Sequence, residues 1–230
     1  MAFRSDNEVY TPNTATVTAP AGVELGDLLI IGVLASHENC VIPTLPSGFA
    51  HITEVAFVSW DGWERIAVGW KVADAADVTK SASSGTYSVV YSGAQLFVWI
   101  GCYTGRVTSS ILDCSSNTEY TTDDYIVRAA SMAVATVGTD VVWFGYHWAE
   151  APQAPSLPSG MNNRAIISDG GNYCFYVADK PNQPTGATGN QDATLPNYNS
   201  DWKHAVMVGL KPVVVNGISI PLLNHLLLGD

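Results

Sequence analysis

The run DLLIIGVLAS at 27–36 has no polar face. A strand that alternates apolar and polar side chains can turn one face to water; this run cannot, so the fold must cover it on both sides. The run DVVWFGYHWA at 140–149 makes the same demand. Neither reaches the length of a membrane span. Two such strands in a chain of 230 residues predict sheets stacked face to face, each half of the chain covering what the other cannot.

The surroundings of the two runs echo one another. GDLLIIG (26–32) is matched by TDVVWFG (139–145), and TLPSGF (44–49) by SLPSGM (156–161). WKVAD (70–74) is matched by FYVAD (175–179), and FVWIGCYTG (97–105) by HAVMVGLKP (204–212). The order is kept while the offsets drift through 113, 112, 105 and 107 residues, as loop-length changes between two copies would produce. In each Leu-Pro-Ser-Gly, Pro presets φ and Gly takes the strained position of a turn. The two Val-Ala-Asp ends read as turn residues whose carboxylates bond the backbone ahead.

Between these landmarks lie further short runs rich in Val, Ile, Tyr, Trp and Thr, bounded by Gly, Pro, Asn, Asp and Ser. They are TATVTA (14–19), HITEVAFVSW (51–60), ERIAVGWKVA (64–73), TYSVVYS (86–92), AQLFVWIGCY (94–103), YIVRAASMAVATV (125–137), NYCFYVA (172–178) and KHAVMVGLK (203–211). In one of them Ile66, Val68, Trp70 and Val72 alternate to a single face. Helical periodicity is hard to find. Trp60-Asp61-Gly62-Trp63 predicts a hairpin with Asp-Gly at its centre and the two Trp as a cross-strand pair. The expectation is one all-β domain over 1–212, an antiparallel β-sandwich with an internal pseudo-duplication of about 20–105 and 125–212.

After Pro212 the pattern ends, and VVVNGISIPLLNHLLLGD follows. Asn216-Gly217 signals a turn, and Pro221 suits the first position of a short helix. Ile218, Ile220, Leu222, Leu223, Leu226 and Leu227 give this arm, 213–230, apolar side chains to bury, on its own sandwich or in a neighbouring subunit.

The formal net charge is −11, which disfavours a phosphate backbone as the main partner. The N-terminal MAFRSDNEVY has no apolar core of a secretory signal, so folding in a cytosol is expected. Cys40, Cys102, Cys114 and Cys174 lack zinc spacing and read as buried thiols; a Cys102–Cys114 bridge would need an oxidising compartment.

No nucleophile elbow, phosphate-binding loop or EF-hand is present, and no cofactor or metal is expected. His37 beside Glu38 and His147 near Glu150 read as loop or sheet residues, His147 as a hydrogen-bonded one. Glu54, Glu64, Glu119 and Glu150 are carboxylates near strands with no evident pairing. Trp60, Trp63, Trp148 and Trp202, near strand ends or loops, are the residues to suspect of stacking on a sugar, with core packing as the plainer reading.

The residues Gly26-Asp27-Leu28-Leu29, Leu45-Pro46-Ser47-Gly48-Phe49, Trp70-Lys71-Val72-Ala73-Asp74, Tyr103-Thr104-Gly105 and Gly209-Leu210-Lys211-Pro212 resemble the pattern of a family of jelly-roll-like β-sandwich domains found in phage virion proteins and bacterial surface proteins. The resemblance covers residues 20–212 and departs at Phe49, Met161 and Thr104. It implies a scaffold and no chemistry. With the arm, it leads to the expectation of a phage virion structural protein, a cement, decoration or fibre subunit assembled in the host cytoplasm. Its partners would be other virion proteins and its own copies, as a homo-oligomer such as a trimer. The alternative is a carbohydrate- or host-receptor-binding module.

Overall fold

The computed structural model describes residues 3–37, 42–59, 62–105, 109–121, 125–149, 154–196, 200–212, 214–215 and 218–219. The first half forms β1 (Phe3–Thr18), β2 (Leu28–His37), β3 (Ala50–Ser59), β4 (Gly62–Val72), α1 (Ala75–Ala82) and β5 (Thr86–Tyr103). The second forms β6 (Leu112–Thr121), β7 (Ile126–Ala129), β8 (Ala133–Val134), β9 (Thr139–Ala149), β10 (Asn162–Ser168), β11 (Tyr173–Gln183), β12 (Gly186–Ala187), β13 (Gln191–Thr194) and β14 (Ser200–Leu210). A small ribbon, β15 (Val214–Val215) with β16 (Ile218–Ser219), follows. No helix among the described residues is long and apolar enough to cross a membrane.

Two antiparallel five-stranded sheets result, ordered β1-β5-β2-β4-β3 and β10-β11-β9-β14-β6. They are packed against each other as an all-β sandwich. Each sheet draws all its strands from one half of the chain, so jelly-roll winding, in which strands are dealt between sheets, does not follow from this connectivity. The apolar runs are the two central strands, β2 and β9. Their inward side chains, Leu28, Ile30 and Leu34 against Val142, Phe144 and Tyr146, meet in one core. The sheets approach so closely that a Cβ on Gly32 would come within 2.4 Å of the Phe144 ring.

The outward faces of both strands are buried too, as their composition requires. Over the first sheet, Ala15 and Val17 of β1 and Tyr87 and Val89 of β5 lie on Leu29, Ile31 and Val33. Over the second, Val127 and Ala129 of β7, with Ala193 of β13, lie on Val141 and Trp143. Single bridges, Thr44 to Val90 and Ser156 to Thr194, tie each cover to the residue preceding a Leu-Pro-Ser-Gly turn. In those turns Gly48 and Gly160 adopt φ of 88° and 74°, and the Phe49 and Met161 amides donate to the Pro46 and Pro158 carbonyls at 3.1 Å.

Several expectations are corrected. The pairing Ser59–Gly62 and Val58–Trp63 sets Trp63 opposite Val58, while Trp60 and Asp61 lie outside the described residues. The runs at 86–92 and 94–103 are one strand, β5, whereas 125–137 breaks into β7 and β8. Of the two Val-Ala-Asp ends, only Asp74 is a turn residue: it caps α1, accepting from the Ala76 and Asp77 amides. Asp179 is buried within β11 and bonds Arg164 instead. The turn glycines leading into β2 and β9 are Gly26 and Gly138, with φ of 86° and 84°. Hence Asp27 corresponds in place to Thr139, one residue away from the textual match of GDLLIIG with TDVVWFG. That single step matters in a strand, because it exchanges the two faces.

Candidate functional site

Two of the four suspected tryptophans, Trp148 and Trp202, stand side by side in the second sheet. Trp60 lies outside the described residues, and Trp63 stands in β4 opposite His37 of β2. Trp148 of β9 and Trp202 of β14 are brought together as direct cross-strand partners, and Tyr173 of β11 pairs with Trp148 from the other side. Tyr173 is buried, while the two Trp are half-buried where the inner face opens at the end of the second sheet. Trp148 packs against the main core, and its Nε1 is shielded from water without a hydrogen-bond acceptor. Core packing thus accounts for Trp148, and Trp202 is half-buried beside it.

The buried ionisable groups are arranged for structure. Glu64, 1% exposed, faces the inter-sheet core and accepts from the Tyr146 hydroxyl at 3.3 Å. His204 stands opposite Tyr146, and burial pushes its pKa down to about 3. His147, on the other face of the same sheet, stacks on Tyr176 with ring centres 5.4 Å apart. Its pKa falls to about 3 through burial first and the Lys203 charge second, and its Nδ1 has no hydrogen-bond partner among the described residues. Both imidazoles are therefore neutral near pH 7 and poorly placed to accept protons there. Burial likewise pushes the Cys114 and Cys174 thiols up to about 11 and about 12 and raises Cys102 further. These three cysteines are free and buried, and Cys102 and Cys114 form no bridge. Cys40 lies outside the described residues.

Of the remaining carboxylates, Glu54 pairs with Arg65. Glu38 and Glu150 lie outside the described residues. No group of three or more His, Cys, Asp or Glu among the described residues could hold a metal ion.

The two sides of the sandwich differ in a way the sequence did not announce. On one side β1 meets β10 across a polar seam. Arg164 lies 3.6 Å from the Phe3 ring centre and bonds Asp179 at 2.8 Å, and the Tyr103 hydroxyl and Asn162 amide donate to the same carboxylate. Nearby, Asp6 accepts from Trp99 Nε1 at 2.9 Å; burial raises its pKa, against that hydrogen bond. On the other side, where β3 meets β6, there is a cavity of about 300 Å³ lined by His51, Ile52, Trp70, Ser110, Ile111 and Leu112. Trp70 was legible as an inward-facing strand residue. Its position at the open edge was not, because that depends on which strand ends the sheet.

Of the predicted docking arm, Ile218 belongs to β16, while Ile220, Leu222, Leu223, Leu226 and Leu227 lie outside the described residues. The chain leaves the sandwich at Lys211, whose amide donates to the Ile111 carbonyl at 2.8 Å. Comparison with known proteins places no relative beside this chain: no family model, curated protein or solved structure matches it.

Proposed function

We propose that the protein is a structural subunit of a bacteriophage virion, a cement, decoration or fibre component without catalytic activity, whose two halves are copies of one strand motif. It joins its own copies and neighbouring virion proteins through the edges of the sandwich and through the arm at 213–230. One observation carries the assembly reading. The second sheet receives its last strand at Leu210, with both faces of the central strands already buried, yet the chain goes on into another ribbon and a leucine-rich segment. Apolar residues added to a finished core stabilise most when a partner completes their burial. The virion setting rests on the resemblance of the strand and turn motifs.

The test is solution mass against concentration for the full chain and for residues 1–212. The full chain is expected to form higher-order species as concentration rises, with 1–212 remaining monomeric. Identical masses across the range would remove the arm from assembly.

A second reading, a glycan-binding module, is favoured by Trp202, a half-buried aromatic beside Trp148 near the start of β14. Glycan-array binding that disappears in Trp202→Ala, with assembly unchanged, would select it.

A further inference from the structure

The two seams of the sandwich can be compared position by position. β3 bulges between His51 and Thr53, and β10 bulges between Asn163 and Ala165, so Ile52 and Arg164 are the bulged residues. Trp70 pairs with Ala50 where Asp179 pairs with Asn162. Leu112 pairs with Leu210 where Phe3 pairs with Tyr103. One seam is closed by Phe3, Arg164 and Asp179, through a ring contact and an ion pair. The other offers Leu112, Ile52 and Trp70 at the same places and leaves the cavity. Its volume is about twice the ~150 Å³ that accommodates one benzene in an apolar protein cavity. Its lining calls for aliphatic side chains and supplies little for a charged ligand.

We infer that the leucine-rich segment of the same chain, residues 222–227, stows in this cavity in the unassembled protein. The root of the arm is already at the cavity wall, through the Lys211 amide bonded to Ile111. The β15–β16 ribbon then reverses the chain: Val214 pairs with Ser219, so the residue after Ser219 starts beside the arm's own root. From there Leu222 to Leu227 lie three to eight residues on. At about 3.3 Å per extended residue that is a reach of roughly 10–26 Å, enough to return to Trp70 and Leu112. So short a tether gives an effective concentration in the millimolar range, well above that of a second copy in dilute solution. The inference does not depend on the virion reading; it says where the arm is kept before any partner arrives.

The experiment is disulfide trapping in the full chain with Cys40→Ser, pairing Ser110→Cys with Leu226→Cys. The dilute monomeric fraction is oxidised and analysed by non-reducing gel and peptide mass spectrometry. The expected product is a link within one chain, formed at least tenfold more slowly when Leu222→Asp and Leu223→Asp are added. Those two substitutions lie beyond the sandwich and leave its fold, read by circular dichroism, unchanged. A link found only between chains would overturn the inference by making a second copy the occupant. No link in a folded protein would overturn it by emptying the cavity of the arm. An intrachain link in a protein that never assembles would instead leave this inference standing and count against the assembly reading alone.

Discussion

His147 and His204 lie on opposite faces of the second sheet, and both stay neutral because burial disfavours the imidazolium. Their folded pKa values, about 3, lie below the unfolded value near 6.5. Below pH 6.5 the unfolded chain therefore binds protons that the folded chain refuses. The stability they contribute is present above that pH and is lost as pH falls from 6.5 toward 3. Asp6 and Glu8 act in the opposite sense: burial raises both, so the folded chain holds their protons more tightly, and acidification relieves a cost that exists near neutrality. Comparing wild type with the double variant His147→Gln/His204→Gln separates the two effects. The urea midpoint of wild type is expected to fall more steeply between pH 7 and pH 4 than that of the variant. Parallel curves would mean that neither histidine is held neutral.

At the scale of elements, α1 shows why part of the fold was not legible. AADVTKSA has one bulky apolar residue and no stripe, so its sequence gives no helical period. Local chemistry holds the helix instead. Asp74 and Asp77 form a capping box, Lys71 bonds Asp77 at 2.7 Å, and the Tyr87 hydroxyl donates to Asp77 at 2.9 Å. Ser81 on the same helix donates to the Pro20 carbonyl at 2.7 Å. The Asp77 side chain is wholly buried and the Lys71 side chain only 13% exposed, so removing the carboxylate takes the acceptor from the Tyr87 hydroxyl and the Asp74 amide and leaves Lys71 only the exposed Asp74, 3.0 Å away. Asp77→Ala is expected to cost about 3–5 kcal/mol in chemical denaturation. Asp192→Ala, which breaks the more open pair with Arg128 in the β7–β13 ribbon, should cost about 1 kcal/mol or less. Equal losses would show that burial does not distinguish these ion pairs. β1 was half legible for a related reason. TATVTA reads as a strand, while the polar stretch containing Arg4, Asp6, Asn7 and Glu8 joins the sheet through its backbone ladder to β5. Edge strands take their place from pairing more than from an apolar face.

For the whole molecule, the apolar runs at 27–36 and 140–149 carried most of what could be read: each became the centre of a sheet, covered on both faces. Both Leu-Pro-Ser-Gly echoes became turns, whereas GDLLIIG and TDVVWFG stand one residue out of step and only one Val-Ala-Asp ends a strand. Letters align by composition, whereas strands align by which face they bury. β2 and β9 run in the same direction across the gap: Gly32 lies against Phe144, and Glu64, paired with Ser36, bonds Tyr146. The cavity at the β3–β6 seam depends on two sheet edges meeting, which no local run of residues encodes.

The account stands on the sandwich being complete without the arm. Hydrogen exchange on the full chain and on residues 1–212 tests that most directly. The amides of β2 and β9 are expected to exchange equally slowly in both proteins, with faster exchange after truncation confined to the cavity wall near 50–52 and 110–112. Exchange that accelerates through β9 and β14 on truncation would make the arm part of the core and contradict the account.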